Sequence, residues 1–359
     1  MRIFLLILLV LHGFIHLMGF TKAFDLGTFT QLSKEISKPM GVFWLTAFIL
    51  FLTAAILFFL KKEEWWIVGT TAVIISQILI FTVWNDAKFG TLANLIIFCA
   101  LLLNYGSYSF EKSYQKDVKE NLQRTSKLPT ELLTEQDLLP LPEPVQRYIK
   151  YSGVVNKPKP HNMRIVFEGQ MREKGKDFFP FTCEQYNSFD EPTRLFFMKA
   201  KIKGFTVPGY HKYNNASALM DIRLFGFFPI VKKAGKEMNQ AETVTLFNDM
   251  CLMAPATLID KRITWQAIDS NSAKATFTNQ SNKITAILYF NDEGQLIDFI
   301  SKDRDVNNYP FSTPVRNYKN KNGLNIMTYG EAIWHYPDGK FVYGKFNLKD
   351  IEYNVTALK

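Results

Sequence analysis

The sequence lacks the short motifs that mark the common enzyme classes. It contains no Gly-x-Ser-x-Gly elbow, no His-Glu-x-x-His pair and no glycine-rich phosphate loop. Beyond residue 110 the histidines are His161, His211 and His335, and none has a cysteine or aspartate at a diagnostic spacing. These absences argue against a serine hydrolase, a zinc protease or a nucleotide-binding enzyme. We predict a non-enzymatic protein with no metal and no other cofactor.

The chain also lacks concentrated charge of one sign. Its 42 Lys and Arg exceed its 33 Asp and Glu, which gives a formal net charge of +9. The basic residues are spread along the chain and form no long block. This distribution argues against a nucleic-acid partner, and it suits solubility or contact with an anionic membrane surface.

Cysteine is scarce, with Cys99, Cys183 and Cys251 as its three positions. Cys99 lies in an apolar stretch, and the other two have neither metal-ligand nor Cys-x-x-Cys spacing. A disulfide between Cys183 and Cys251 is one interpretation. We expect instead two buried free thiols, because free cysteine behaves as a small apolar residue.

Apolar residues are abundant near the N terminus. Four stretches, at residues 3–20, 40–60, 65–84 and 92–105, approach or reach the length of about 20 residues that a bilayer core requires of a helix. The first stretch resembles a signal peptide, but no small-x-small cleavage site follows it, so we predict an uncleaved helix. The pattern predicts a membrane α-helical bundle of four spans at residues 1–110.

The charges near the spans indicate an orientation. With the N terminus inside, six basic residues lie on the inner side: Arg2, Lys61, Lys62, Lys112, Lys116 and Lys119. Four lie on the outer side: Lys22, Lys34, Lys38 and Lys88. The excess predicts a multi-pass membrane protein with a cytoplasmic tail, although one miscounted helix would reverse the side.

After a helical connector at residues 111–140, the pattern is that of an α+β domain at residues 141–359. Alternating apolar residues indicate roughly ten strands, with hairpins at residues 284–302 and 329–351. No helices alternate with the strands, so we expect an antiparallel sheet. One helix, at residues 237–253, interrupts the series, and a second short one follows at 255–260.

Several phrases of the sequence occur together in a known family. They are HGFIHLMGF at 12–20, DAKFGTLAN at 86–94, LPEPVQRY at 141–148, APATLI at 254–259 and SKDR at 301–304, with Ala241-Glu242 and Phe247-Asn248-Asp249 between them. The chain is similar to an uncharacterised bacterial membrane-anchored family, a domain of unknown function. Its tail also resembles the LolA/LolB-like lipoprotein-carrier fold. That resemblance implies a curved antiparallel half-barrel with a helical insertion, which wraps helices and binds acyl chains.

His12 and His16 lie four residues apart on one face of the first span. They are candidates for a metal or haem site or a proton relay, since polar groups within a span are costly. The alternative is hydrogen bonding between helices, to Asn85, Asn94 or Thr71. We expect this structural role, because no third metal ligand is evident.

Asp86 and Lys88 lie between the third and fourth spans. They could form a gate or contact a substrate. We expect instead an ion pair at the membrane interface, with Trp84 as an aromatic anchor.

In the tail, six polar residues are candidate ligand contacts: Glu242, Asn248, Asp249, Arg304, Arg316 and Glu331. A buried carboxylate needs a partner, and an arginine on a neighbouring strand is the natural one. A structural ion-pair network is therefore the alternative to a ligand site.

Phe227 and Phe228 belong to an apolar segment, residues 224–231, placed among Pro and Gly where loops are usually polar. These side chains could fill the core, line a groove for an acyl chain as a flap, or contact the bilayer. We predict a protein that binds a lipid or another apolar ligand at the membrane surface, with membrane lipids as partners. The alternatives are a scaffold for an envelope protein, bound through a sheet edge, and an enzyme with Glu242 or Glu331 as general base.

Overall fold

The computed structural model describes residues 2–27 and 31–359. The chain divides into two compact units, Met1–Phe110 and Glu111–Lys359.

The first unit is helical. Its elements are α1 (Arg2–Ala23), α2 (Lys38–Phe59), α3 (Trp65–Thr82), the short α4 (Trp84–Ala87) and the start of α5 (Gly90–Thr125). The four long helices are long and apolar enough to cross a membrane. Large apolar side chains on their outer faces are exposed in the isolated chain, which is typical of helices solvated by lipid. The predicted spans are confirmed as helices, but the fourth helix does not end near residue 105. It continues to Thr125, so part of the expected connector belongs to α5.

Small residues allow α1 and α2 to pack closely. Arg2 at the start of α1 donates to the carbonyl of Phe58 at the end of α2, so the two helices are antiparallel. A Cβ added at Gly19 would lie 2.1 Å from the Trp44 ring, and one at Gly41 would lie 2.4 Å from the Cβ of Ala23. These glycines are required by the approach of the neighbouring helix.

The second unit is dominated by antiparallel strands. Two helices, α6 (Glu135–Leu138) and α7 (Glu143–Ser152), precede them, and Gly153 ends α7 in the left-handed conformation (φ 72°), as its position predicts. The strands are β1 (Asn162–Met171), β2 (Phe179–Ser188), β3 (Thr193–Ile202), β4 (Phe205–Asn214), β5 (Ser217–Leu224), β6 (Phe228–Ala234), β7 (Ile263–Asp269), β8 (Ser272–Asn279), β9 (Asn282–Phe290), β10 (Leu296–Ser301), β11 (Phe311–Ser312), β12 (Val315–Arg316), β13 (Lys319–Lys321), β14 (Leu324–Ile326), β15 (Tyr329–Tyr336) and β16 (Gly339–Tyr353).

Fourteen of these strands form one sheet in the order β6-β5-β4-β3-β2-β1-β16-β15-β11-β10-β9-β8-β7, with β12 paired to β15. The sheet is open, because β6 and β7 are its terminal strands in the described part of the chain. The two predicted hairpins are confirmed as β9–β10 and β15–β16. The estimate of ten strands was too low, in part because β11 to β14 have only two or three residues each, too few for a recognisable alternation.

A long helix lies between two arms of the sheet, of which one comprises β1 to β6 and the other β7 to β10. It is α8 (Lys236–Met253), followed by a 3₁₀ helix at Pro255–Ile259, close to the predicted bounds of both. α8 contacts β4, β5 and β6 of one arm and β9 and β10 of the other. Its side chains Val244, Leu246, Phe247 and Met250 are buried in the main core.

Cys183 on β2 and Cys251 on α8 are both buried and free, which confirms the expectation of two thiols. Burial raises the pKa of the Cys183 thiol to about 12. It therefore stays protonated and unreactive at neutral pH.

Candidate functional site

A cavity of about 220 Å³ lies between α8 and the sheet of the second unit. Its wall is largely apolar and rich in flexible and aromatic side chains, among them Met171, Met220, Met253, Met327, Phe167, Phe196, Phe311 and Phe346. Methionine adapts its shape to an apolar occupant, and a space of this size accommodates a small apolar molecule or a section of an acyl chain.

One side of this cavity is a buried ionic network centred on Arg194. The Arg194 Nε donates to Asp249 Oδ2 at 2.8 Å, and Nη1 donates to Glu242 Oε2 at 3.1 Å. The third nitrogen, Nη2, donates to Gln185 Oε1 at 3.1 Å. Asp249 also accepts from Gln185 and Asn187, at 2.6 and 3.1 Å. The buried charges of the network thus have hydrogen-bond partners on more than one element, as burial away from water requires.

Local structure explains how these groups meet. Glu242 and Asp249 are seven residues apart on α8, two turns along one face of the helix. Arg194 lies in β3 two residues before Phe196, so both side chains point to the cavity side of the sheet. In the neighbouring β2, Gln185 and Asn187 pair in register with Phe196 and Arg194.

The charges of this network are fixed by their surroundings. Burial alone would raise the pKa of Glu242, but the nearby Arg194 and a hydrogen bond from His211 outweigh it and lower the pKa to about 2. Burial acts against the charge of Arg194, and Asp249 and Glu242 together raise its pKa above the ordinary value. Glu242 and Arg194 are therefore ionised, and Arg194 with its two carboxylate partners, Glu242 and Asp249, forms an ion triad rather than a proton donor.

Two further candidates, Arg304 and Glu331, also line the cavity. The guanidinium of Arg304 lies 4.0 Å from the centre of the Phe311 ring and donates to the Tyr343 hydroxyl. Glu331 accepts from the Tyr329 hydroxyl at 2.6 Å and from Arg316 at 3.4 Å. The expected arginine on a neighbouring strand is thus present for Glu331, because β12 pairs with β15.

The sequence candidates therefore separate into two groups. Glu242, Asn248, Asp249, Arg304 and Glu331 line the cavity, with Asn248 donating to Thr313 at 2.6 Å. Phe227, Phe228 and Arg316 are not part of its wall. The segment 224–231 is not a lid over the cavity; it forms the tip of the β5–β6 hairpin, at the edge of the sheet.

Sequence reasoning missed Arg194, His211 and Gln185. A signal for Arg194 existed, because Phe196, Met198 and Ala200 define the inward face of β3 and Arg194 continues their alternation. Its partners could not be inferred, since Glu242 and Asp249 lie 48 and 55 residues further along the chain.

In the helical unit, His12 and His16 form hydrogen bonds between helices. His12 Nε2 lies 2.9 Å from Asn94 Oδ1, and His16 Nε2 lies 2.9 Å from Ser76 Oγ. Asn94 was among the predicted partners, whereas the central role of Ser76 was not foreseen. No group of three or more His, Cys, Asp or Glu with metal-site geometry occurs within residues 2–27 and 31–359.

The expected ion pair between Asp86 and Lys88 was wrong. Asp86 accepts instead from the backbone N–H and hydroxyl of Ser33, at 2.8 and 2.9 Å. The Lys88 ammonium lies 5.6 Å from the centre of the Phe89 ring. Asp86 thus anchors Ser33, which lies between α1 and α2. The two residues are 53 positions apart in the sequence, so their spacing does not predict this contact.

The fold and the cavity define a class: a helical segment with four candidate spans, followed by an open antiparallel sheet that encloses an apolar space beside one helix. Residues 131–346 match the family of unknown function DUF6544, and the chain belongs to that family. No curated protein matches the chain.

Two solved structures show a remote likeness to the second unit. One is a LolA superfamily protein from Nitrosomonas europaea, with 8% identity and a TM-score of 0.35 over 58% of this chain and 91% of that one. The other is a β-barrel-like protein of the domain of unknown function DUF1849 from Brucella abortus, with 8% identity and a TM-score of 0.18 over 54% and 98%.

Proposed function

We propose that the second unit binds a lipid or another apolar ligand in the cavity beside α8, without chemical conversion, and that the helical unit holds the protein in a bacterial inner membrane. The cavity is the observation that carries this proposal, since a sheet that served only as a scaffold would be packed to its centre. Its wall combines adaptable methionines with aromatic rings, and a few fixed polar groups lie on one side, as in binding sites for small apolar ligands.

The state of the polar groups favours binding over catalysis. Each cavity carboxylate has an arginine nitrogen within hydrogen-bonding or ion-pair distance, at 3.1 Å for Glu242, 2.8 Å for Asp249 and 3.4 Å for Glu331. A general base works best with a pKa near the working pH, and a pKa of about 2 makes Glu242 a weak one. The triad is better suited to define the polar side of a ligand site.

The surroundings of the protein follow from the helices and the loop charges. Four apolar helices suit a multi-pass membrane protein. In this proposal membrane lipids surround these helices and also supply the ligand of the cavity. In this proposal the second unit is cytoplasmic, which the positive-inside bias of the loop charges supports.

A photoactivatable fatty acid tests the cavity directly. The full chain in lipid nanodiscs is illuminated with a diazirine-bearing fatty acid, and the labelled peptides are mapped by mass spectrometry. We expect label on peptides that carry Met253 and Met327, in addition to label on the spans. The variant Thr245→Phe places a ring in the cavity from α8, where the Thr245 hydroxyl donates to the Ala241 carbonyl of its own helix, and should abolish the cavity label.

The control is Thr278→Phe, which adds the same ring at an exposed position of β8. It should leave the labelling unchanged, and label on the spans serves as an internal standard in all samples. Label confined to residues 2–110, or cavity label that persists in Thr245→Phe, would refute binding at this site.

A further inference from the structure

An apolar patch lies exposed at one edge of the sheet, outside the cavity. It consists of Phe205, Phe225, Phe227, Phe228 and Ile230, which we call the aromatic tip. Phe228 and Ile230 are 61% and 55% exposed, and both belong to β6, the terminal strand. Side chains of this size are rarely left together in water without a binding role.

The members of the aromatic tip come from two turns that contact each other. The rings of Phe205 and Phe225 meet edge to face with centres 5.6 Å apart, which joins the start of β4 to the β5–β6 turn. The centres of Phe227 and Phe228 are 6.4 Å apart. The two turns are therefore in contact, and Phe227, Phe228 and Ile230 extend the patch from the β5–β6 turn along β6.

The turn itself is an unusual place for a phenylalanine. The N–H of Phe227 donates to the carbonyl of Leu224, and the two residues between them, Phe225 and Gly226, have φ of 56° and 73°. Asn-Gly is the preferred pair for such a turn, because a bulky side chain is costly at positive φ. The backbone conformation therefore does not favour phenylalanine at position 225. We attribute its presence there to a role of the side chain.

Exposed lysines surround the aromatic tip. Lys201 and Lys203 lie beside Phe205 in the chain, and Lys232 and Lys233 follow Ile230 on β6. The nearby Asp221 does not offset them, because it is buried and paired with Arg223 at 2.7 Å. Lys232 and Lys233 share a groove with Glu237, Asp303 and Asp305, but Lys236 and Arg304 line it too, so its four cations exceed its three anions. Aromatic and aliphatic side chains flanked by cations are the combination that binds the interface of an anionic bilayer.

The same edge is poorly suited to a protein strand. Pro229 removes a backbone donor, Lys232 and Lys233 place charge on the edge, and the pairing shifts at a bulge between Ile222 and Arg223. All three features disfavour the addition of a further strand. Lipid is therefore the occupant that this surface fits.

We propose that the aromatic tip docks onto an anionic lipid surface, with Phe228 and Ile230 at the boundary of headgroups and acyl chains and the four lysines on lipid phosphates. This contact goes beyond ligand binding in the cavity and does not depend on it.

Depth-dependent quenching tests the proposal on the full chain in nanodiscs. In a Cys99→Ser background, Phe228→Cys is labelled with the environment-sensitive dye NBD; Cys183 and Cys251 are buried and should not react. The matched control is Ile268→Cys, a 50% exposed apolar position on β7, the opposite terminal strand. The quencher is a phosphatidylcholine with a nitroxide on its acyl chain.

With phosphatidylglycerol present, we expect a blue-shifted emission and several-fold stronger quenching at position 228 than at position 268. The difference should disappear in Lys232→Gln/Lys233→Gln and at about 1 M ionic strength, where the Debye length is about 3 Å. Equal quenching at both positions overturns the proposal. Quenching at position 228 that changes neither at high ionic strength nor in the lysine variant also overturns it. A blue shift without nitroxide quenching would show that protein covers the tip, which also overturns it.

Discussion

The two units bury polar side chains in different ways. In the helical unit, His12, His16 and Asn94 converge on the hydroxyl of Ser76 at 3.3, 2.9 and 3.0 Å, and the cluster needs no charge to be satisfied. In the second unit, Arg194 is held by two carboxylates beside an open cavity. Neutral groups join helices at modest cost, whereas buried charges demand an exact set of partners. The charged cluster is therefore the stronger candidate for a functional site.

The largest expected effect comes from breaking the charged cluster. Arg194→Met leaves Glu242 and Asp249 buried without their common partner, and we expect a loss of about 3 to 5 kcal/mol in the stability of the second unit. Hydrogen exchange of peptides from β3 and α8 measures this loss.

Arg316→Met is the control for that prediction, because its pair with Glu331 involves an arginine side chain that is 57% exposed. It should cost about 1 kcal/mol or less. Equal losses in the two variants would show that the buried triad is no more important than a surface pair.

Acid should weaken the second unit through the same cluster. The pKa of Glu242 is lowered from 4.5 to about 2 in the folded chain, so its stabilising contribution is complete above pH 4.5 and is lost as the pH falls from 4.5 towards 2. Glu242→Gln should therefore be less stable at neutral pH but show a flatter dependence over this range. Parallel pH profiles for the variant and the parent, followed by hydrogen exchange of α8, would contradict this assignment.

A smaller effect is expected from breaking the neutral cluster. Ser76→Ala removes the common partner of three side chains and should cost the helical unit about 1 kcal/mol. Unfolding in a titration with SDS, followed by circular dichroism, measures the change. Thr71→Ala is the matched control, because the Thr71 hydroxyl donates to the Ile67 carbonyl of its own helix. If Ser76→Ala lost as much stability as Arg194→Met, the neutral and the charged cluster would not differ in their contribution to stability.

The smallest effect is expected at the aromatic tip. Phe228→Ser replaces an exposed ring and should change the stability of the second unit by no more than about 0.5 kcal/mol. Hydrogen exchange of the β5–β6 peptides checks this. A loss of several kcal/mol would show that Phe228 belongs to the core after all.

The parts of the fold that depend on neighbouring residues could be predicted from the sequence. Apolar periods and turn residues within each segment predict the long spans, the β9–β10 and β15–β16 hairpins and α8. The short strands β11 to β14 could not be found in this way, because only their pairing with β10 and β15, or with each other, defines them.

The candidate site was predicted in part for a related reason. Glu242 and Asp249 were recognisable as carboxylates in an apolar helix, which implied a buried partner. The identity of that partner, Arg194, depends on a contact between a strand and a helix far apart in the chain. Phe227 and Phe228 were misplaced because an apolar run has the same composition at a cavity wall and at an exposed edge.

The central claim is that the cavity beside α8 holds an apolar ligand. Native mass spectrometry of the full chain, released from membranes and washed with detergent to remove loosely bound lipid, tests it most directly when the parent is compared with Thr245→Phe. We predict one retained apolar molecule per parent chain and none in the variant, with Thr278→Phe like the parent. A parent without a retained molecule, or an identical adduct in Thr245→Phe, would contradict the account.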